Sequence, residues 1–388
     1  MIKKNMIKNR TLQGYILNTV VIAILLIGFT IIKENFGKAG DFKLIIAPSI
    51  WQCCYLIILA ASLNLTLGFL GQLSLGHCGF MAIGAYAAAL ISLAAERAGV
   101  FEEKSDTAFI LVLVVCILVA GLLAALVGLL VGIPALRLKG DYLAIITLGF
   151  GMIIVNIINN LPFAGQEGLA QGSASASLYK NGLGFGTALK VTHIWVAIIV
   201  TLICITMMFM YVRSKFGRAI RAIRDDEIAA SASGINTAFY KVFTFAYSAF
   251  FAGVAGALYA CANATLSTAS FAFANGGILN STFVVVMVVL GGMGSLTGSI
   301  VAAVIMFFVN YQIKNGVWVK LLPMWLQNIF AFPMLVYAVI LIIVIMFRPK
   351  GIFGEYELSL RNFFSDMKKR RQNRLALKQE NKEVLSHE

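Results

Sequence analysis

Apolar runs of roughly bilayer length recur along this chain, separated by short polar stretches. A helix that crosses a bilayer needs about 20 mainly apolar residues. Segments 15–32, 44–67, 78–95, 108–133, 141–158, 192–212, 241–262, 278–291, 295–310 and 331–347 fit that pattern or come close to it. The two shortest, 278–291 and 295–310, meet at "GGMGSLTG" (291–298), where Gly291, Gly292 and Gly294 let two helices reverse tightly. The other reading of this stretch is a single long helix with a flexible middle, which would invert the last crossing. The pattern predicts an all-α polytopic membrane protein of about ten transmembrane helices. The membrane domain covers 1–354, and a basic tail covers 355–388.

Composition agrees with the pattern. Hydrophobic residues make up 60% of the 388 positions and charged residues 12%, against about 25% charged in soluble domains. The six cysteines have no ligand-like or framework spacing, and the adjacent pair Cys53 and Cys54 diverge on a helix, so they read as packing residues. His77, His193 and His387 are too scattered to form a metal site. The opening "MIKKNMIKNR" and the apolar run from Tyr15 to Ile32 resemble a signal peptide. The run exceeds a typical signal core and no A-x-A site follows, so a retained first helix is expected.

Charge placement orients the chain. With a cytoplasmic N-terminus and ten crossings, 22 Lys and Arg fall inside and nine outside, in agreement with the positive-inside rule. This map puts both termini in the cytoplasm. The net charge of +14 therefore reflects membrane topology, not nucleic-acid binding. "KKRRQNR" (368–374) reads as a tail anchored on anionic lipid. Every Asp, Glu, Lys and Arg falls at a loop, a tail or a helix end. Ion-coupled carriers usually keep ionisable groups within the membrane, so the energy for any transport is expected from elsewhere. Carbonyls and hydroxyls can also bind sodium, which leaves an autonomous carrier or channel as a rival.

The exception to the apolar pattern is "GRAIRAIRDDEIAASASGIN" (217–236), inside the cytoplasmic segment 213–241. Arg218, Arg221 and Arg224 recur every three residues, Asp225, Asp226 and Glu227 follow, and Gly234 marks a stop. The spacing predicts one helix of about four turns over 218–233, beneath the membrane. A lipid-lying helix would face anionic headgroups with three acids and offers a thin apolar side, Ile220, Ile223 and Ala230. A mixed-charge surface suits a protein partner better.

Two other stretches carry polar interest. In "GFLGQLSLGH" (68–77), Gln72, Ser74 and His77 sit among glycines near the start of an apolar helix. They either satisfy a helix break and interhelical packing or line a substrate pathway. His77 reads as a hydrogen-bonded structural residue. Loop 159–191 either receives an outer partner or covers the bundle. Small residues Ala249, Gly253 and Gly256, with Gly128 and Gly132, suit close helix packing.

Five ordered blocks carry a family resemblance: "LNLTLGFLGQLSLGHCGFMAIGAYAAAL" (63–90), "PALRLKGDYLAIITLGFG" (134–151), "GRAIRAIRDDEIAASASGINTAFYKVFTFAYSAFFAGVAGALYA" (217–260), "VVLGGMGSLTGSIVAA" (288–303) and "FRPKGIFG" (347–354). Together they resemble the branched-chain amino acid permeases of bacterial ATP-binding-cassette importers, Liv-type, M subunit. The resemblance implies a plasma-membrane permease subunit, not an enzyme, that pairs with a paralogous permease. It also implies two cytoplasmic ATPase subunits that bind ATP and magnesium, and an extracytoplasmic substrate-binding protein. No cofactor is implied for this chain, and its sole "GK", Gly37-Lys38, is followed by Ala39, so it carries no phosphate loop. The charged helix would then be the ATPase-coupling contact, driving alternating access. The family commonly carries a Glu and an Arg where this chain has Met152 and Val155, so no role of that pair transfers. The rivals are a urea or short-chain amide permease, an autonomous ion-coupled carrier or channel, and a non-transporting scaffold.

Overall fold

The computed structural model describes residues 40–97, 106–135, 138, 140–160, 194–263, 266, 268–271, 281–315, 333–348, 351, 352 and 354. The expected first crossing at 15–32, most of loop 159–191 and the tail 355–388 lie outside the described residues.

Among the described residues every regular element is helical. We number the α-helices α1 (Gly40–Asn64), α2 (His77–Arg97), α3 (Asp106–Ala135), α4 (Asp141–Asn160), α5 (Ile194–Arg213), α6 (Lys215–Asp225), α7 (Glu227–Ala232), α8 (Thr237–Ala262), α9 (Ser281–Gly291), α10 (Leu296–Asn315) and α11 (Pro333–Phe347). A π-helical turn, Leu65–Phe69, extends α1, and a 3₁₀ turn spans Thr268–Phe271. Among the described residues, five helices are long and apolar enough to cross a membrane, and His77–Ser92, Ser281–Gly291, Leu296–Tyr311 and Leu335–Phe347 are shorter apolar ones. The expected apolar segments from 44–67 onward thus each hold a helix. The count of ten crossings goes beyond what these helices establish.

Helix α8 is the hub. It packs along α2 and α3 and also touches α1, while α1 contacts α5, α9 and α10, and α11 lies against α9. Glycine makes the closest approaches possible. A Cβ on Gly84 of α2 would overlap the Gly253 backbone of α8, and one on Gly256 would overlap the Met81 carbonyl. Gly128 of α3 receives the Ala249 methyl in the same way. All six cysteines are buried and unbridged, as packing residues should be.

The stretch "GGMG" is a turn between two helices, not the middle of one. Gly292 and Gly294 have φ of 116° and 94°, in the left-handed region where side chains other than glycine are strained. Gly291 lies against the Gly298 backbone, so α9 and α10 meet almost directly at the reversal.

The charged segment corrects the expectation of one helix over 218–233. It is two helices, broken at Asp226, whose φ of −156° and ψ of 111° are extended. The cause is local: the Asp226 carboxylate accepts hydrogen bonds from Ile228 N and Ala229 N, at 2.8 and 3.0 Å, and starts α7 afresh. Ser214 caps α6 by accepting from Phe216 N and Gly217 N. At the far end Ile235 N donates to Ala230 O and Gly234 N to Ser231 O, with Gly234 at φ 83°. This paired closure is the expected glycine stop.

Candidate functional site

The loops placed on one side by the charge map meet at one end of the bundle. The π-turn after α1, the 70–76 loop, Leu138, Gly140 and Leu143, helices α6 and α7, the Gly292–Gly294 turn, and Gly351, Ile352 and Gly354 gather there through contacts with their neighbours in this group. Each of the five sequence blocks contributes to this end.

Arg224 is the cross-tie. Its Nη1 donates a 2.8 Å hydrogen bond to the Gly68 carbonyl, in the π-turn that ends α1. The last carbonyls of a helix lack intrahelical donors and carry its negative dipole end. A guanidinium there serves as a cap supplied from another helix, worth about 1.5–3 kcal/mol for a charged hydrogen bond. Gly71, at φ 73°, lies against the Arg224 stem, and a Cβ on Gly294 would lie 3.0 Å from Nη1. Arg221 reaches back along its own segment, with Nη2 donating to Val212 O at 3.2 Å and the guanidinium 5.5 Å from the Phe69 ring centre. Glu227 pairs with the buried Lys241 of α8 at 2.6 Å.

These pairings change the reading of the charged cluster. Arg221, Arg224 and Glu227 bind this chain's own membrane helices. Arg218, Asp225 and Asp226 are exposed, as is Ile228 on α7, with 79% of its surface open, and Arg221 and Arg224 also stay exposed while their guanidinium groups bond to the bundle. The segment therefore grips α1, α5 and α8 while keeping Arg218, Asp225 and Ile228 on its exposed side. A cleft of about 430 Å³ beside it is lined by Gln72, Leu138, Gly140, Leu143, Arg224 and Lys241, among others.

The tentative pathway residues separate. Gln72 lines that cleft. Ser74 is buried, in a loop that leans on α4, where Leu75 N donates to Thr147 Oγ1 at 3.1 Å and Gly76 abuts the Thr147 carbonyl. His77 lies inside, at the start of α2 and against α1. Its Nε2 is 2.8 Å from Ser62 Oγ, and that hydroxyl donates to Leu59 O at 2.9 Å. The Ser62 hydroxyl and the imidazole Nε2 form one hydrogen bond that ties α2 to α1. Ser248 Oγ of α8 donates to the Ser62 carbonyl at 2.5 Å, which joins α8 to the same group. His77 is a packing histidine in this arrangement. Met152 is half-buried and Val155 buried on α4.

One residue escaped the sequence reading. Asn64, wholly buried at the end of α1, donates from Nδ2 to Ser295 O and to Ser299 Oγ, both at 2.8 Å. Its Oδ1 accepts from Gly294 N at 3.1 Å. The available signal was an amide alone in an apolar run, facing the Ser295 and Ser299 pair one helical turn apart. The terminal block has a similarly local explanation: Gly351, at φ 79°, turns the chain so that Ile352 N donates to Leu290 O at 2.9 Å, closing the end of α9.

Among the described residues no cluster of His, Cys, Asp or Glu could hold a metal ion. The end built by these blocks is a set of helix ends tied to a two-helix segment. A family profile described as "Branched-chain amino acid transport system / permease component" matches residues 45–345. The chain is 33% identical over 316 residues, 76% of its own length and 67% of the other's, to the high-affinity branched-chain amino acid transport system permease protein LivM of Escherichia coli (strain K12). It is 22% identical over 253 residues, 63% of its length and 69% of the other's, to the probable branched-chain amino acid transport permease protein LivM of Methanocaldococcus jannaschii. It is also 24% identical over 312 residues, 78% of its length and 92% of the other's, to the high-affinity branched-chain amino acid transport system permease protein LivH of Escherichia coli (strain K12). No solved structure matches significantly. A polytopic helical bundle with its sequence blocks gathered at one end, matched by this profile over most of its length, belongs to the family of branched-chain amino acid transport permease components, membrane transport subunits and not enzymes.

Proposed function

We propose that this chain is one membrane-spanning half of an ATP-binding-cassette importer for branched-chain amino acids, in a bacterial plasma membrane with both termini cytoplasmic. It pairs with a shorter paralogous permease, receives substrate from an extracytoplasmic binding protein, and is driven by two cytoplasmic ATPase subunits that hold ATP and magnesium. The chain itself needs no cofactor. The coupling segment is 213–241, and the Gly291, Gly292 and Gly294 turn is cytoplasmic with it.

The observation that carries this reading is the bonding of the charged segment to the bundle. The segment caps α1 through Arg224 and Gly68 and grips α8 through Glu227 and Lys241. Its exposed side offers Arg218, Asp225 and Ile228. A push on that side has a short path to the membrane helices, as a rigid-body transition requires. Gln72, beside the cleft, and Ser74 belong to the inner mouth of the pathway, while His77 holds α2 to α1.

The test begins with mild-detergent extraction at native expression and identification of co-purifying chains. Two ATPases and a second permease support the reading. A lone chain or homo-oligomer, under conditions that keep a known importer intact, overturns it in favour of an autonomous carrier. Reconstituted with its partners, the complex should take up leucine in an ATP-dependent way, with competition by isoleucine and valine. Competition by urea and not by leucine would reassign the substrate to the amide class.

A further inference from the structure

We infer that Asn64 is a positioning residue for coupling: it makes the end of α1 and the α9–α10 turn one body, so that a single contact from α6 moves both. This rests on the function proposed above. Three hydrogen bonds from one fully buried amide reach a strap about 230 residues away in sequence, Gly294 N, Ser295 O and Ser299 Oγ. All the strong bonding capacity of the amide except one lone pair is thereby spent on one partner element. Pure adhesion between two membrane helices needs no such group, because small residues already bring them together elsewhere in this bundle. What a saturated amide adds is register, a single allowed alignment of α1 against the turn.

The position of Arg224 gives that register a mechanical use. Arg224 holds the Gly68 carbonyl, four residues beyond Asn64, and the same guanidinium passes beside Gly294. Gly68 has no room for a side chain, since a Cβ there would overlap both Asn64 Oδ1 and Gly294 N. Asn64, Gly68, Gly294 and Arg224 therefore occupy one knot. The segment between Asn64 and this contact is the π-turn Leu65–Phe69, a rare geometry found mostly as single-turn bulges in helices. Without Asn64, part of a pull at Gly68 would be absorbed in this turn, and α9 and α10 would follow only through apolar packing on α1, which fixes no register. With Asn64 in place, displacement of α6 reaches α1 at Gly68 and, through the amide, the turn that joins α9 and α10.

The complete importer, reconstituted in proteoliposomes with its partner permease, ATPases and binding protein, provides the test. Leucine uptake and ATP hydrolysis are measured together for the parent, Asn64→Leu, Arg224→Ala and the double variant. Leucine has the branched outline of asparagine and is at home in an apolar interior, so Asn64→Leu removes the bonds, although its methyls need more room than the amide had. The expected result is continued ATP hydrolysis with uptake per ATP lowered about tenfold, a typical coupling energy. The double variant should then be no worse than the single ones, because both cut the same link. Uptake and hydrolysis that fall in proportion, with their ratio unchanged, would reduce Asn64 to a folding residue and overturn the proposal. Losses in the ratio that multiply in the double variant would overturn it as well. Should Asn64→Leu fail to assemble, Ser299→Ala decides by the same criteria, with an expected loss in the ratio of about two- to threefold. A parent complex that shows no ATP-dependent uptake marks failure of the proposed function itself, a result distinct from an unchanged ratio in a working importer.

Discussion

Helices α1 and α3 cross the same bundle under opposite rules. The apolar span of α3, Ile110–Ala135, is the most hydrophobic of the five long spans, and its outer face exposes Leu111, Leu118, Leu122, Leu126 and Leu130. The span from Ile50 through the π-turn is less hydrophobic and almost wholly buried, yet it holds Ser62, Asn64 and Thr66. In a water-soluble protein the order would be reversed. Here lipid is the solvent, so an exposed leucine costs nothing and hydrophobicity alone does not draw helices together. Close approach and hydrogen bonds do, and they concentrate polar and small residues in the interior. The polar positions of an apolar sequence are therefore its map of the inside.

This comparison can be broken at either helix. The largest effect is expected from Gly84→Leu on α2, where even a Cβ overlaps the Gly253 backbone. Overpacking costs about 1–3 kcal/mol or more, and backbone cannot yield as a side chain does. Monodisperse protein on size exclusion should fall at least about tenfold. Next comes Leu122→Lys, at the middle of the outer face of α3. A lysine at the bilayer centre costs about 2.5–3.5 kcal/mol on insertion scales, and the loss should show as less membrane-integrated chain. Insertion at the parent level would mean that this face meets protein or water instead of lipid.

Charge reversal at Arg221, Arg224 and Glu227 together should leave insertion normal while uptake per ATP drops about tenfold. Undiminished uptake would remove the segment from the coupling path. A smaller effect is expected for His77→Ala, which takes the hydrogen-bond partner from Ser62 and should cost about 1–3 kcal/mol in a buried site. It should lower thermal stability in detergent and leave the ratio of uptake to hydrolysis unchanged. A changed ratio would place His77 in the pathway. The smallest effect belongs to Leu122→Phe, an apolar exchange against lipid, for which yield and uptake should match the parent.

Much of the bundle was legible in the chain because helix ends and spans have local causes. The turn at Gly292 and Gly294 follows from glycine's freedom at positive φ, and the stop at Gly234 from the same property. The break at Asp226 was equally local yet was read through, since the run of arginines and alanines favours helix on both sides of it. Asp226 looked like part of an acidic surface patch, while its carboxylate in fact caps α7. Asn64 was illegible for another reason. Nothing within ten residues of it supplies its partners, which lie near residue 295.

By itself, then, the sequence determined the solvent and the class: apolar runs long enough for lipid, charges confined to their ends, and blocks that match one permease family. Those properties are sums over neighbouring residues, and a chain carries them before it folds. The tertiary structure alone decided which charges bond to the bundle. Arg224 on the Gly68 carbonyl, Glu227 on Lys241 and Asn64 across the glycine turn are contacts between distant segments. Their existence depends on how helices dock, which small residues and saturated hydrogen bonds settle in three dimensions and no local pattern records.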